Sequence, residues 1–312
     1  MRLFGVLRKS SNWKSLVGEA EKLVGYSGSY LSLRYLLSDE IAAVALAARK
    51  LMGSKHPLLH TAKSLLDSVQ TRGLVVLLLC KCANATATSE AYENGISKSQ
   101  RSLAEIAELI STAHLIHSGV LDAREIQMGN TQQSLRDGNK LAVLVGDYLL
   151  SNASTALAKL SNVQVTNSMA QAIADMSASY FVGEESESGA FYPSSLEQLE
   201  TRLYLESGSL LAHSCRSGLQ LSSISDELQT VAFNYGKQIG ILYSLSQYLD
   251  QSPETDDYEK SRCVPVPRGV TREQILERCQ SYAKDSEESL SVFPPCDAIK
   301  SLQNMTTAIV DS

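Results

Sequence analysis

One run of apolar residues at helical spacing constrains the fold of this chain more than any other feature. Ser102 followed by Glu105 has the spacing of a capping box, which predicts that a long helix begins there. From this point apolar side chains recur every three or four residues and share one face of the helix: Ile106, Leu109, Ile110, Ala113, Ile116 and Val120. We therefore expect a buried helix that ends near position 122 and has the other helices packed around it.

The rest of the chain also has helical patterns. Apolar spacing, capping residues and breakers predict helices at about 38–53, 58–66, 139–160, 163–182, 194–217, 226–250, 271–294 and 297–310. Two of them open with capping boxes, Ser194 with Glu197 and Thr271 with Gln274. The apolar run 74–80 permits a buried helix or a buried strand. Residues 84–99 are polar and predict a loop, and no strand alternation remains, so the predicted fold class is all-α.

Composition excludes several classes of protein. The 312 residues are 44% apolar with a net charge of −6, which suits a globular core and leaves no basic surface for nucleic acid. No linker divides the chain, so we predict one helical domain over residues 19–312. The apolar run 74–80 is far shorter than the roughly 20 residues that span a bilayer. The six cysteines contain no C-x-x-C pair, which favours buried free thiols over zinc or disulfide sites.

The N-terminus is basic and free of acids until Glu19. Residues 1–18 contain Arg2, Arg8, Lys9 and Lys14 with serines between them. This composition is typical of a short organellar transit peptide. A frayed basic terminus explains it equally well, and the sequence leaves both interpretations open.

The central helix and the helix after it resemble a known family. The segment S-L-A-E-I-A-E-L-I-S-T-A-H-L-I-H-S-G-V-L-D at 102–122, followed by G-N-K-L-A-V-L-V-G-D-Y-L-L at 138–150, is similar to the trans-isoprenyl diphosphate synthases. The resemblance extends in order over nearly the whole chain. It implies a bundle of helices around a central cavity, and it favours the helical interpretation of residues 74–80.

The resemblance implies two aspartate motifs that are degenerate here. In the family, two D-D-x-x-D motifs face each other and hold Mg²⁺ ions that bridge to the diphosphate of the allylic substrate. The first motif falls on residues that keep a single acid: Ser118, Gly119 and Asp122. The second falls on residues without an acid: Gln247, Tyr248 and Gln251. Because Mg²⁺ requires oxygen ligands in near-octahedral geometry, these positions predict that this chain holds no Mg²⁺.

The family positions that bind diphosphate are degenerate as well. The paired arginines after the first motif fall on Gln127 and Met128, and a lysine–threonine pair falls on Glu206 and Ser207. A basic G-K-R-x-R-P segment leaves Arg72 alone. Diphosphate recognition depends on charge-assisted hydrogen bonds, and Glu206 would repel that ligand. We therefore predict that the chain is catalytically silent for prenyl transfer.

Other candidate sites have a simpler explanation. His114 and His117 have a spacing that permits a metal, but a core histidine explains each one without a third ligand. Ser214 and Cys215 resemble a nucleophile pair, yet adjacent residues of a helix point apart. Ala113 is small where short-chain members of the family carry a bulky residue, so the resemblance implies an open tunnel wall there.

The resemblance implies a role in assembly. We expect a non-catalytic but required subunit of a heteromeric polyprenyl diphosphate synthase that makes the tail of ubiquinone in the mitochondrial matrix. An active partner subunit, in a complex that we expect to be a heterotetramer, would supply Mg²⁺ and the chemistry, and this chain would bind no cofactor. The alternatives are a stand-alone isoprenoid-binding or regulatory protein on the same fold, and an enzyme of another class.

Overall fold

The computed structural model describes residues 11–25, 71–84, 92–121, 132–187, 189–249 and 264–311. In this part of the chain the longer elements are helices: α1 (Ser11–Val24), α2 (Arg72–Ala83), α3 (Lys98–His117), α4 (Gln132–Lys159), α5 (Val163–Ala178), α6 (Leu196–Leu203), α7 (Ser209–Gln220), α8 (Asp226–Leu249), α9 (Arg272–Leu290) and α10 (Asp297–Val310). A 3₁₀ turn, Ser179–Phe181, follows α5, and a π-helical turn, Tyr204–Gly208, joins α6 to α7. The predicted all-α class is confirmed.

Helix α3 is the central element that the apolar stripe predicts. It contacts α2, α4 and α7, and five of the six stripe residues are buried: Ile106, Leu109, Ile110, Ala113 and Ile116. The sixth, Val120, lies beyond the end of the helix and is 40% exposed, so its predicted burial is wrong.

The predicted start of this helix is also wrong. The helix begins at Lys98, because Ser97 accepts a hydrogen bond from the Gln100 amide while the Gln100 side chain bonds back to Ser97. This capping box lies five residues before the one that the sequence suggested at Ser102. Gln100 also donates to the carbonyl of Gly218 at 2.9 Å, which ties the start of α3 to α7.

Helix α2 contains the apolar run 74–80. From its apolar spacing alone, this run could be either a helix or a strand. Ten residues of α2 are buried, from Arg72 to Cys82, because the helix is enclosed by α1, α3, α7 and α10. A helix that is apolar on all sides is expected at such a position. The helical interpretation of residues 74–80 is therefore confirmed.

Two short hairpins correct the sequence-based picture. Strands β1 (Tyr92–Glu93) and β2 (Ile96–Ser97) pair within the predicted loop 84–99, and β3 (Glu184–Glu185) pairs with β4 (Phe191–Tyr192). Asn94 and Gly95 at the first turn both have positive φ, as two-residue hairpin turns require. A two-residue strand is too short to give a periodic signal in the sequence.

Several helix boundaries differ from those predicted. Helix α4 begins at Gln132, seven residues before the predicted start at 139. Ser195, not Ser194, is the N-cap of α6 and accepts from the Gln198 amide. Helix α9 has the predicted capping box at Thr271 but ends at Leu290. The helices predicted at 38–53 and 58–66 lie outside the described residues.

Glycines allow α7 and α8 to approach closely. A Cβ atom on Gly240 would lie 2.6 Å from the Cα of Gly208, and one on Gly236 would lie 2.7 Å from the Cα of Ala212. Such distances leave no room for a side chain at either glycine. This close crossing positions the π-helical turn, which contains Glu206 and Ser207, against the middle of α8.

Candidate functional site

The first degenerate motif lies where α3 ends. Ser118 is the C-cap: its amide donates to the His114 carbonyl at 2.9 Å and its hydroxyl donates to the Leu115 carbonyl at 2.8 Å. Gly119 continues the turn, with its amide 3.0 Å from the Ile116 carbonyl. The Ser118 hydroxyl is thus engaged in closing the helix, and Gly119 has no side chain to offer. Asp122 lies outside the described residues.

The segment before Asp122 is held by α4. The Asn139 side chain accepts from the Leu121 amide at 2.8 Å and donates to the Leu121 carbonyl at 2.7 Å. One turn earlier on α3, His117 Nε2 lies 3.3 Å from Asp147 Oδ1 and 3.3 Å from the Val143 carbonyl, both on α4. Through these contacts, Asn139 and Asp147 of α4 hold the C-terminal end of α3 in place.

Gly146 makes room for this histidine. A Cβ atom at position 146 would lie 2.1 Å from His117 Nε2. The Gly146–Asp147 pair therefore serves the packing of α3 on α4, with glycine admitting the ring and aspartate facing it. The neighbouring His114 faces Tyr180, with ring centroids 6.0 Å apart.

The second degenerate motif lies at the C-terminal end of α8. Gln247 donates from its side chain to the Tyr243 carbonyl at 3.4 Å, and Tyr248 packs in the buried apolar cluster. Asp250 and Gln251 lie outside the described residues. Neither described side chain is a carboxylate, so the donor set at Gln247, Tyr248, Ser118 and Gly119 does not fit Mg²⁺.

Arg72, which the resemblance aligns with a diphosphate-binding position, lies near a carboxylate inside the protein. Gln127 and Met128 lie outside the described residues. The Arg72 side chain is 5% exposed and donates from Nη1 to the Ser111 hydroxyl at 2.8 Å. Glu108, one turn earlier on α3, is 3% exposed and accepts from the Gly73 amide at 2.8 Å. Burial lowers the pKa of Arg72 and raises the pKa of Glu108, and their mutual attraction opposes both shifts.

Ser207, which the resemblance aligns with the family's threonine, makes neutral hydrogen bonds inside the protein. The Ser207 hydroxyl lies 2.6 Å from the Ser244 hydroxyl of α8 and also reaches the Leu203 carbonyl. Ser244 donates in turn to the Gly240 carbonyl at 2.9 Å. Glu206, the neighbour on the π-helical turn, is half-buried. π-Helical turns are frequent at functional sites, but this one carries no cation in any of its five residues.

Two of the degenerate diphosphate-binding positions, Arg72 and Ser207, line the same small cavity. Arg72, Ser207, Gly240 and Tyr243 line it, together with Met305 from α10. Its volume is about 20 Å³, which is room for roughly one water molecule. A diphosphate group does not fit in a cavity of this size.

Ala113 and the nucleophile candidates lie in packed surroundings. Ala113 is fully buried in a cluster formed by α3, α4, α5 and α7. Ser214 donates to the Leu210 carbonyl at 2.7 Å, and Cys215 is buried, which raises the pKa of its thiol well above the usual value. A buried thiol with a raised pKa is a poor nucleophile.

Three residues at the site escaped sequence reasoning. Ser111 accepts a hydrogen bond from Arg72, Glu108 attracts the Arg72 cation, and Ser244 is the hydrogen-bond partner of Ser207. Glu108 has a signal, since it is an acid one position before Leu109 in a helix that is apolar on most sides. Ser244 has none, because a serine in a helix donates to its own backbone in most settings.

Three large apolar side chains are exposed among the polar residues on the outward face of α4. They are Val143, Leu144 and Tyr148, and Leu144 is 56% exposed. Among the described residues, α4 is also the one helix whose length and composition would allow it to cross a membrane, with a mean hydropathy of 1.3 over a window that is 33% buried. Its inner face packs on α3. Exposed apolar side chains that lie close together are common on surfaces that bind another protein or a membrane.

Comparison with known proteins finds relatives over nearly the whole chain. Residues 59–264 match the polyprenyl synthetase family. The chain is 33% identical to the Homo sapiens protein all trans-polyprenyl-diphosphate synthase PDSS2, over 97% of this chain and 88% of that one. It is 30% identical to a Neurospora crassa protein named as a mitochondrial hexaprenyl pyrophosphate synthase, over 77% of this chain and 64% of that one.

Solved structures share the fold. A geranylgeranyl pyrophosphate synthetase from Pyrococcus horikoshii aligns with a TM-score of 0.65 at 16% identity, over 96% of this chain and 99% of that one. A decaprenyl diphosphate synthase from Rhodobacter capsulatus aligns with a TM-score of 0.59 at 17% identity, over 91% of this chain and 98% of that one. The arrangement of helices is thus the one found in isoprenyl diphosphate synthases.

Proposed function

Because the chain belongs to the polyprenyl synthetase family, we propose that it is a non-catalytic but required subunit of a heteromeric trans-polyprenyl diphosphate synthase. An active partner subunit carries the Mg²⁺ and condenses isopentenyl diphosphate repeatedly onto an allylic diphosphate. The product becomes the tail of ubiquinone. The basic N-terminus and the mitochondrial name of the Neurospora crassa relative support a mitochondrial location, which we take to be the matrix.

The observation that carries this proposal is the internal engagement of the degenerate positions. Arg72 faces Glu108 and Ser111, and Ser207 bonds to Ser244. Ser118 closes helix α3. A prenyltransferase needs carboxylates that project into a cavity and cations that grip a diphosphate. Here Arg72 and Ser207 bond to neighbouring helices and Ser118 bonds within α3, which supports a role in maintaining the fold.

The apolar face of α4 supports a protein partner. Val143, Leu144 and Tyr148 lie on one side of a helix whose other side is packed on α3. On α5 the exposed positions include small residues, Ala170, Ala174 and Ala178, which allow another helix to approach closely. We place the partner on these outward faces of α4 and α5, because burying such apolar surface favours association.

The test compares three preparations: this chain alone, the active subunit alone and the two expressed together. Each receives Mg²⁺, a labelled isopentenyl diphosphate and an allylic diphosphate, and the prenyl products are separated by length. We expect long-chain product only from the complex, or far more of it there than from the active subunit. Elongation by this chain alone would refute the proposal.

A pair of matched variants tests the partner face. Leu144→Asp places a charge on the α4 face, where we expect the amount of complex recovered by affinity purification to fall at least tenfold. Val292→Asp is the control, because Val292 is an exposed apolar residue, 52% accessible, located between α9 and α10. Equal loss of complex in the two variants would place the partner elsewhere.

The alternative of an isoprenoid-binding protein has one observation in its favour. A groove between the start of α3 and the end of α4, with a volume of about 510 Å³, has Ile106, Leu109 and Leu160 on its lining and Lys98 and Lys159 among its polar residues. Its volume lies in the range of small-molecule sites. A monomer that carries a bound isoprenoid in native mass spectrometry, and that never copurifies with a synthase, would favour this function.

A further inference from the structure

Two cysteines that are far apart in the sequence meet in the structure. Cys82 lies near the C-terminal end of α2, and Cys296, 214 residues later, is the N-cap of α10. Their Sγ atoms are 3.2 Å apart. A disulfide bond has a sulfur–sulfur distance of about 2.0 Å, so a small movement of the two side chains, by roughly 1.2 Å in total, would form one.

The surroundings give the two thiols different roles. Cys82 is fully buried, and burial raises the pKa of its thiol, which keeps it protonated. Cys296 is only half-buried, and its side chain makes no capping hydrogen bond to α10. Among the cysteines that the structure describes, Cys296 is the one that is not fully enclosed. A reagent from solution therefore reaches Cys296 first.

We propose that Cys82 and Cys296 form a redox modification site that a low-molecular-weight disulfide, such as oxidised glutathione, converts to an intramolecular disulfide. The Cys296 thiolate attacks one sulfur of the reagent, the reagent's S–S bond breaks, and one small thiol leaves with the proton. Cys82 then loses its proton and attacks the Cys296 sulfur, which expels the second small thiol. In total, two protein thiols are oxidised and one small disulfide is reduced to two thiols.

The raised pKa of Cys82 does not prevent the second step. Only a small fraction of the Cys82 thiol is ionised at any moment. However, its sulfur is held beside the mixed disulfide, and an intramolecular reaction with this placement has a very high effective concentration. Cys82 therefore resolves the mixed disulfide, and a solution thiol at millimolar concentration does so more slowly.

The disulfide would fasten α10 to α2. Helix α10 packs against α1, α2 and α9, and its Met305 and Ile309 line the cavity that Arg72 faces. The new bond closes a loop of more than 200 residues, and a crosslink over a long loop restricts the unfolded chain strongly. We expect the melting temperature of the oxidised protein to rise by roughly 5 °C and the proteolysis of α10 to slow.

The experiment uses the full chain, first reduced and then incubated with millimolar oxidised glutathione. Remaining thiols are alkylated, and peptide mapping by mass spectrometry identifies the bridged cysteines. We expect a Cys82–Cys296 bridge, a higher melting temperature and reversal of both by dithiothreitol. Cys296→Ser should abolish the bridge and the temperature shift. Val292→Ser, which changes an exposed residue four positions before Cys296 and leaves both thiols in place, should keep both.

Three outcomes would overturn the proposal. The first is a mixed disulfide that persists at Cys296, and the second is full alkylation of both thiols. The third is a bridge that joins other cysteines while these two remain free. Cys296→Ser is used in place of a variant of Cys82, because a substitution at the fully buried position could unfold the chain and give no information.

Discussion

The pairing of Arg72 with Glu108 predicts a specific response to the loss of one charge. Glu108→Gln keeps the size of the side chain and an oxygen that can accept from the Gly73 amide, but it removes the carboxylate. Arg72 then stays charged, since arginine does not lose its proton in proteins. With 5% of Arg72 and 3% of Glu108 exposed, water can do little to screen the cation.

The expected cost is about 1–3 kcal/mol, the range for a buried polar or charged group that loses one of its partners. A chain of 312 residues has an unfolding entropy of about 0.65 kcal/mol/K. The melting temperature of Glu108→Gln should therefore fall by about 2–5 °C. Arg72→Met should cost less, because Glu108 can take up a proton and become neutral.

A double-mutant cycle isolates the pair. Combining Arg72→Met with Glu108→Gln removes both charges and keeps the hydrogen bond from Gly73, so the double variant should be more stable than Glu108→Gln alone. Urea unfolding followed by circular dichroism gives the free energy of each variant. The reasoning is refuted if the two single effects simply add, since the charges would then not interact.

Two further sites give predictions from packing and protonation. Gly240→Ala should lower the free energy of unfolding by about 1–3 kcal/mol, because the new Cβ atom would lie 2.6 Å from the Gly208 backbone. Gly18→Ala should raise the free energy of unfolding by about 0.5–1 kcal/mol, because nothing lies within 4 Å of the position of its Cβ atom. Equal urea midpoints for these two variants would contradict the close crossing. Burial lowers the pKa of the His213 imidazole in the folded protein. As the pH drops from 7 toward 5, this histidine therefore takes up a proton more readily in the unfolded chain than in the folded one, and the free energy of unfolding decreases. His213→Gln should flatten this decline in melting temperature, and parallel pH profiles for the variant and the parent would show that His213 contributes nothing.

Much of the helical architecture could be predicted because its signals are local. The stripe of α3 and the capping box at Thr271 depend on contacts three or four residues apart. The buried run of α2 has no such periodic signal, and the family resemblance supplied its helical assignment. Where two capping signals lie close together, as at Ser97 and Ser102, local patterns do not choose between them. The choice followed contacts of Gln100 with α7, which is more than 100 residues away.

The degenerate site could be predicted in part. The absence of acids at Ser118, Gly119, Gln247 and Tyr248 is a property of residue types at known spacings, and it needs no structure. The contacts that the remaining side chains make, in contrast, could not be predicted from the sequence. That Arg72 would turn toward an acid on α3 could not be inferred, because many acids lie within reach of an arginine in an unfolded chain.

Residue order and spacing were sufficient for the all-α class and for the helix around which the others pack. The loss of the metal and diphosphate ligands is implied by the family resemblance and stays a prediction. The pairs Arg72–Glu108, Ser207–Ser244 and Cys82–Cys296 became visible only once the helices were packed. The physical reason is that periodicity reports contacts within one helix. Contacts between helices depend on where glycines and small residues let two backbones approach, and that is a property of the assembled core.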